Sequence, residues 1–179
     1  TELLVESALS LLQKNANILD LGTGSGAIAL AIASERPDAK VTGTDISAEA
    51  LLIAKQNAEK LDIAVTFQTS QWFANLSGSW QVIVSNPPYI DPADPHLEQL
   101  HAEPIQALVA DEKGLADLRQ IISAAPTYLD NGGWLLLEHG YDQAQQVRLL
   151  LEQSGFQAVT SYRDLANIER VSLGQYIYE

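Results

Sequence analysis

Asn86-Pro87-Pro88-Tyr89 follows directly on the apolar run Gln81-Val82-Ile83-Val84-Ser85. An Asn amide oxygen beside a proline carbonyl makes a double acceptor that suits a planar –NH2 group. Neither proline has an N–H to donate, so a strand ladder stops there, and the carbonyls of Asn86 and Pro87 are free to point beyond it. Tyr89 adds a flat face on which an amide or a base can stack. Chemistry at a planar nitrogen is one reading; a rigid turn after a strand is the other. These four residues alone do not choose between them.

A second segment bears on the choice. Gly22-Thr23-Gly24-Ser25-Gly26 stands between an apolar strand candidate, 17–21, and an Ala/Ile/Leu run, 27–33, of helical character. Three glycines there let the backbone turn sharply and approach a ligand closely. With Ala27 the loop also satisfies the G-x-G-x-x-G/A dinucleotide pattern, so it does not name its ligand. Asp45 closes the next strand, where an acid grips a ribose hydroxyl pair. Asp45 and Ser47 also precede a helical stretch that either can cap; the nearby glycines favour ribose. Asp20 lies just ahead of the loop, which holds no Lys or Arg. An acid there repels a pyrophosphate and suits S-adenosylmethionine, which has no phosphate and carries a sulfonium and an ammonium. Nicotinamide sites tolerate nearby acids too, so this argument points without deciding.

Together these segments resemble class I S-adenosylmethionine-dependent methyltransferases that modify planar nitrogen. The nearer resemblance is to HemK/PrmC, the release factor glutamine methyltransferases. It is carried by Thr1-Glu2-Leu3-Leu4-Val5-Glu6, Asp20 to Gly26, Ile28-Ala29-Leu30-Ala31, Asp45, Ser85 to Ile90 and Glu103-Pro104. Leu135-Leu136-Leu137-Glu138-His139-Gly140 and Glu169-Arg170-Val171-Ser172-Leu173-Gly174 complete it, and the motifs stand in the family's order over nearly all 179 residues.

The resemblance implies roles. Gly22, Thr23, Gly24, Ser25 and Gly26 would wrap the methionine end of S-adenosylmethionine, Asp45 would hold the ribose, and Trp72 would lie against the adenine. Without the family, Trp72 beside Phe73 reads as core. Asn86 would touch both cofactor and substrate, and Pro87, Pro88 and Tyr89 would hold the substrate glutamine, with Asn86, Pro87 and Tyr89 serving catalysis. The implied reaction methylates the side-chain amide nitrogen of the glutamine in the Gly-Gly-Gln motif of peptide chain release factors, leaving S-adenosylhomocysteine. The alternatives are the same chemistry on a ribosomal protein glutamine or on the exocyclic amine of adenine or cytosine. A binding module with a vestigial motif is a third reading. Two departures stand out: Gln71 replaces the acid that relatives carry before the Trp-Phe pair, and 95–104 lacks the Gly and Arg-aromatic step expected before Glu103-Pro104.

The elements needed to position these residues alternate along the chain. Helices are expected over 3–14, 27–35, 48–60, 115–129 and 142–154. Strands are expected over 17–21, 40–45, 64–68, 81–85, 134–138, 157–162 and 171–178, with a turn at 131–133. Alternating strand and helix predicts an α/β, Rossmann-like, doubly wound and mostly parallel sheet. The last two strands have no helix between them, which predicts an antiparallel strand at the sheet's C-terminal end. Both ligand motifs follow strands, at the carboxyl edge where such sheets bind ligands. The stretch 90–114 has little periodicity and reads as a long loop, either functional or disordered.

Composition bounds the rest. At 179 residues and 46% hydrophobic, one catalytic domain spanning 1–179 is expected. A net charge of −13 argues against nucleic acid, because phosphate binding needs clustered Lys and Arg. No cysteine means no disulfide or thiolate metal site, and His96, His101 and His139 are too dispersed to predict a metal. Glu138-His139 ends a strand near the site, which leaves room for a supporting role. No run is long enough for a membrane span, and the acidic start is unlike a signal peptide, so a cytoplasmic monomer is expected. The chain has no methionine. It therefore reads as a fragment lacking the helical domain that precedes this segment in relatives, and weak docking on a release factor is expected of it.

Overall fold

The computed structural model describes residues 1–88 and 114–179. Tyr89 and residues 90–113, with the long-loop reading and the departure before Glu103-Pro104, lie outside the described residues. In chain order the elements are α1 (Glu2–Leu9), β1 (Asn17–Leu21), α2 (Ala27–Glu35), β2 (Lys40–Asp45), α3 (Ala48–Leu61), β3 (Thr66–Thr69) and β4 (Trp80–Ser85). From residue 114 on come α4 (Ala116–Ala124), a 3-10 turn (Ala125–Tyr128), β5 (Leu129–Glu138), α5 (Ala144–Gln153), β6 (Gln157–Arg163) and β7 (Glu169–Tyr176).

The strands form one seven-stranded sheet in the order β3-β2-β1-β4-β5-β7-β6. The pairs β1–β2, β1–β4, β2–β3 and β4–β5 are parallel, while β7 runs antiparallel to both β5 and β6. The mostly parallel α/β sheet is as the sequence predicts. The antiparallel strand is not at the sheet's end, however: β7 is inserted between β5 and β6. A short return from β6 leaves β7 free to take the pairing edge of β5, which local pattern does not reveal.

Helices cover both faces, so the central strands are apolar throughout rather than alternating. Successive side chains still point to opposite faces. Leu19, Leu21, Ile83, Leu135 and Leu137 pack with Leu118, Ile121 and Ile122 of α4 and Val147 and Leu151 of α5. Ile18, Val82, Val84 and Leu136 pack on the other face with Leu4 and Ala8 of α1 and Ile28 and Ile32 of α2.

Three elements depart from the sequence expectation for visible reasons. The first helix stops at Leu9, where the ladder tightens: the Leu11 N–H donates to the Ala8 carbonyl at 3.0 Å and the Leu12 N–H to the Leu9 carbonyl at 3.4 Å, and Arg36 takes the carbonyls of Leu12 and Gln13 beyond that end. The helix expected over 115–129 ends at Ala124 and tightens into the 3-10 turn, since Pro126 cannot donate to an α-helical ladder. The expected turn at 131–133 lies instead within β5. It is an irregularity between the pairs Trp80–Leu129 and Val82–Trp134. A Cβ on Gly133 would stand 3.0 Å from the Gln81 carbonyl, so only glycine passes that close to β4.

Candidate active site

Three strands end level with one another. Leu21 pairs with Thr44 on one side and Ser85 on the other. The residues that follow, Gly22, Asp45 and Asn86, therefore emerge side by side at the sheet's carboxyl edge. Gly22, Gly24 and Gly26 all have positive φ, at 69°, 57° and 85°. That left-handed backbone is why glycine is required at each.

The glycine loop is strapped to β2. The Thr23 N–H donates to the Thr44 carbonyl at 2.8 Å, and the Gly24 N–H donates to Asp45 Oδ2 at 2.9 Å. Asp45 Oδ1 accepts from the Ser47 N–H at 2.9 Å, while the α3 N-cap itself is Ser47, whose hydroxyl accepts from the Ala50 N–H at 3.1 Å. Asp45 thus organises the helix start without being its cap. Each of its oxygens keeps lone-pair capacity for a further donor such as a hydroxyl. Asn57 Nδ2 steadies the far side of the loop by donating to the Ser25 carbonyl at 3.0 Å.

Buried side-chain oxygens without a hydrogen-bond partner mark the same edge. Among the described residues these are Asp20 Oδ1, Thr44 Oγ1 and Asn86 Oδ1. They belong to the next-to-last residues of β1 and β2 and to the residue that follows β4. Glu138 Oε2, at the end of β5, is paired with the Thr1 amino nitrogen at 2.7 Å. An unsatisfied buried acceptor costs about 1–3 kcal/mol. Their concentration at one edge is what a site preformed for a ligand's donors looks like. Pro87 is buried and Pro88 half-buried, so both are packed against the protein rather than displayed on a free turn.

Asp20 departs from the sequence reading. Its carboxyl is fully buried, and Thr23 Oγ1 donates to its Oδ2 at 2.7 Å. Burial pushes its pKa up to about 7, the charge of Asp45 adds to the rise, and the Thr23 hydroxyl and Ala29 amide oppose it. Near neutral pH the carboxyl is only partly ionised, so the repulsion of a pyrophosphate is weaker than a surface acid would give. A positive ligand group nearby would favour its ionised form.

Trp72 packs as its core reading expects, and its ring also lies beside the glycine loop. Its indole packs on the core cluster, and its ring carbon Cζ3 lies 3.3 Å from where a Cβ on Gly22 would stand. Ser70 fixes the turn by donating to the Trp72 carbonyl at 2.8 Å, and Phe73 stacks on Tyr128 with centroids 4.5 Å apart. Gln71 is exposed. Ile46, next to Asp45, is 66% exposed at the same edge. Sequence reasoning passed over it, although an apolar residue between an acid and a helix cap is visible in Asp45-Ile46-Ser47. It also missed Thr44 and Ser85, whose roles depend on pairing across strands.

The residues fit a methyl donor of the S-adenosylmethionine type. A Cβ on Gly24 would meet nothing within 4 Å, so the loop opens onto free space, and the acceptors around that space suit hydroxyl and ammonium donors. Among the described residues no group of three or more His, Cys, Asp or Glu is placed to hold a metal ion.

Comparison with known proteins agrees with this geometry. Residues 1–111 match the family model described as methyltransferase small domain. The chain is 54% identical to a release factor glutamine methyltransferase of Yersinia pestis over 98% of its own length and 65% of that protein's. It is 47% identical to the Neisseria gonorrhoeae protein of the same name, covering 99% of this chain and 67% of that one. The crystal structure of a protein-(glutamine-N5) methyltransferase (release factor-specific) from Alicyclobacillus acidocaldarius is 28% identical with a TM-score of 0.61. That match covers 99% of this chain and 91% of the other. The chain spans about two thirds of the length of the curated relatives it matches. On these matches and this architecture, the chain belongs to the release factor glutamine methyltransferase family of the class I methyltransferase fold.

Proposed function

We propose that residues 1–179 are one catalytic domain that methylates the side-chain amide nitrogen of the glutamine in the Gly-Gly-Gln motif of peptide chain release factors. The reading carries S-adenosylmethionine as methyl donor, no metal, a cytoplasmic setting and a monomeric enzyme. Gly22 to Gly26 wrap the donor's methionine end, and Asp45 holds its ribose. Trp72 and the exposed Ile46 offer apolar surface to its adenine. Asn86, Pro87, Pro88 and Tyr89 hold the acceptor glutamine. The observation that carries the reading is the buried, unpartnered Asn86 Oδ1 beside the glycine loop.

An amide nitrogen is a poor nucleophile because its lone pair is delocalised into the carbonyl. When bound, S-adenosylmethionine supplies a sulfonium methyl carbon already activated for displacement. Asn86 Oδ1 and the Pro87 carbonyl accept the two N–H bonds of the substrate amide. That turns its lone pair toward the methyl carbon and favours the positive charge developing on nitrogen. The rest of the task is in-line positioning. As the N–C bond forms, the nitrogen's proton becomes acidic and leaves to water, so no strong base is needed before transfer.

The test incubates the protein with labelled S-adenosylmethionine and, separately, a release factor, its Gly-Gly-Gln glutamine-to-alanine variant, a ribosomal protein and RNA. Label is expected on the intact release factor alone. Label on RNA or ribosomal protein with none on the release factor overturns the acceptor. Donor binding without label on any of them overturns the enzyme reading.

A further inference from the structure

One set of polar groups that the proposed chemistry leaves unused converges on a buried histidine. His139 is 0% exposed and directly follows β5. Its Nδ1 lies 3.0 Å from the Gly140 carbonyl, and its Nε2 lies 2.7 Å from Ser172 Oγ on β7. Ser172 Oγ lies 2.7 Å from Ser161 Oγ on β6, and Arg148 Nη1 on α5 donates to Ser161 Oγ at 2.7 Å and to Glu169 Oε1 at 3.1 Å.

The chemistry of these partners fixes every proton. A carbonyl cannot donate, so His139 Nδ1 carries the hydrogen that Gly140 accepts. In a neutral ring Nε2 is then bare and accepts from the Ser172 hydroxyl. Ser172 has spent its one proton, so it accepts from Ser161. Ser161 has likewise spent its own, and accepts from Arg148. The sequence Arg148 → Ser161 → Ser172 → His139 → Gly140 has one polarity, and a permanently charged guanidinium starts it.

This chain of bonds closes where the site begins. The pair Ser85–Leu137 is the last between β4 and β5, and one step further along the register brings Asn86 level with Glu138, the residue before His139. The His139 N–H donates to the Arg170 carbonyl at 2.9 Å, adding a last rung between β5 and β7. Beyond it, the Gly140 N–H donates to Gln143 Oε1 at 2.9 Å, and the Gln143 N–H returns to the Gly140 carbonyl at 3.1 Å. The end of β5 is thereby fixed to α5, β6 and β7 together.

We propose that His139 is a positioning residue for methyl transfer, holding the end of β5 beside Asn86 through this one-way chain of hydrogen bonds to Arg148. The role rests on the glutamine-methyltransferase reading. Protonating the ring would put an N–H on Nε2 and force both serine hydroxyls to turn, leaving the Ser161 proton without its acceptor. Burial, the largest influence, lowers the His139 pKa below its ordinary value; Gly140 and Glu169 oppose this, and Arg148 and Arg170 add to it. The charged groups facing the ring are thus Arg148 from α5 and Glu169 and Arg170 from β7. The chain stays ordered at neutral pH and breaks on acidification.

The test uses wild type, His139→Ala, His139→Gln and Ser172→Ala. Ring 15N NMR of the wild type should show a neutral His139 with hydrogen on Nδ1 and a bare Nε2. This readout does not depend on the acceptor, so it separates failure of the positioning idea from failure of the glutamine reading. His139→Ala and Ser172→Ala should each lower kcat for the release factor about tenfold or more, the scale of a displaced catalytic group, with KM for the donor nearly unchanged. Gln can still accept from Ser172 and cannot titrate, so His139→Gln should restore most of the lost kcat and flatten the acid limb of the pH profile. Where His139→Ala does not fold, Ser172→Ala carries the kinetic arm. Hydrogen on Nε2 at neutral pH, or wild-type kcat in Ser172→Ala, overturns the proposal.

Discussion

Ser85 Oγ donates to the Leu21 carbonyl at 2.8 Å, a buried side-chain bond between the tips of β4 and β1. The two residues already face each other in the strand ladder. The extra bond fastens the peptide before Gly22 to the residue before Asn86, so the glycine loop and the acceptor motif share one joint. A class I sheet places these motifs at the same edge; Ser85 fixes their separation.

Removing that joint has a measurable cost. Ser85→Ala leaves a buried carbonyl one bond short and should lower stability by about 1–3 kcal/mol in urea denaturation. It should also lower kcat on the glutamine acceptor more than it weakens donor binding, since the two motifs would lose their common tie. Unchanged stability and kcat would show that the ladder alone sets the spacing.

The glycines of the loop separate two kinds of constraint. Gly26 has φ 85°, and its added Cβ would lie 3.1 Å from Ala54 Cβ and 3.3 Å from Phe67 Cζ. Gly26→Ala should therefore combine left-handed strain of about 1–2 kcal/mol with overpacking of roughly 1–3 kcal/mol. Gly24 has φ 57° and nothing within 4 Å, so Gly24→Ala should show only the strain. Its methyl enters the space where the donor is expected, so donor affinity should fall further than stability. Calorimetric titration beside thermal melting of both variants checks the split.

Asp20 predicts an inverted pH response. Its pKa is raised from 3.8 to about 7, so the folded chain holds a proton there that the unfolded chain has already released. That contribution is complete below about pH 4 and is lost as pH rises through about 7. Asp20→Asn removes the titration while keeping the side chain's shape. The variant should melt higher than wild type at about pH 8 and lose that advantage by about pH 5. A constant difference in melting temperature across this range would mean that Asp20 does not titrate between them.

The sequence made local punctuation legible and long-range pairing opaque. The glycine loop and Asn86-Pro87-Pro88 could be read because positive φ and a missing N–H are properties of single residues. Asp45 was read as a ligand to ribose or a helix cap; the cap is Ser47, and the bonds of Asp45 to Gly24 and Ser47 leave its oxygens lone pairs for a ribose. The end of α1 was hidden because the apolar pattern runs on through Leu11 and Leu12, past the point where the backbone bonds tighten. The insertion of β7 between β5 and β6 was hidden because nothing in 169–176 names its neighbours. The burial of Asp20 follows from strand parity and from α2 folding over it, which spacing alone does not supply.

Asn86 carries the mechanism, and two substitutions separate its functions. Asn86→Ala removes an unpartnered buried oxygen, so the fold loses no existing bond to Oδ1 and stability should hold or rise slightly. Turnover should fall by about a hundredfold or more, the scale seen when one preorganised electrostatic partner is removed, with a smaller loss of donor affinity. Asn86→Asp keeps an oxygen in place of Oδ1 and turns the amide nitrogen into a second acceptor. It should lower stability, because a carboxylate at this partly buried tip must be desolvated, and it should retain more turnover than Asn86→Ala. Single-turnover rates with saturating donor report the chemical step, and calorimetric titration reports donor binding. Near-normal transfer by Asn86→Ala would remove the amide oxygen from the mechanism and leave the Pro87 carbonyl to orient the acceptor alone.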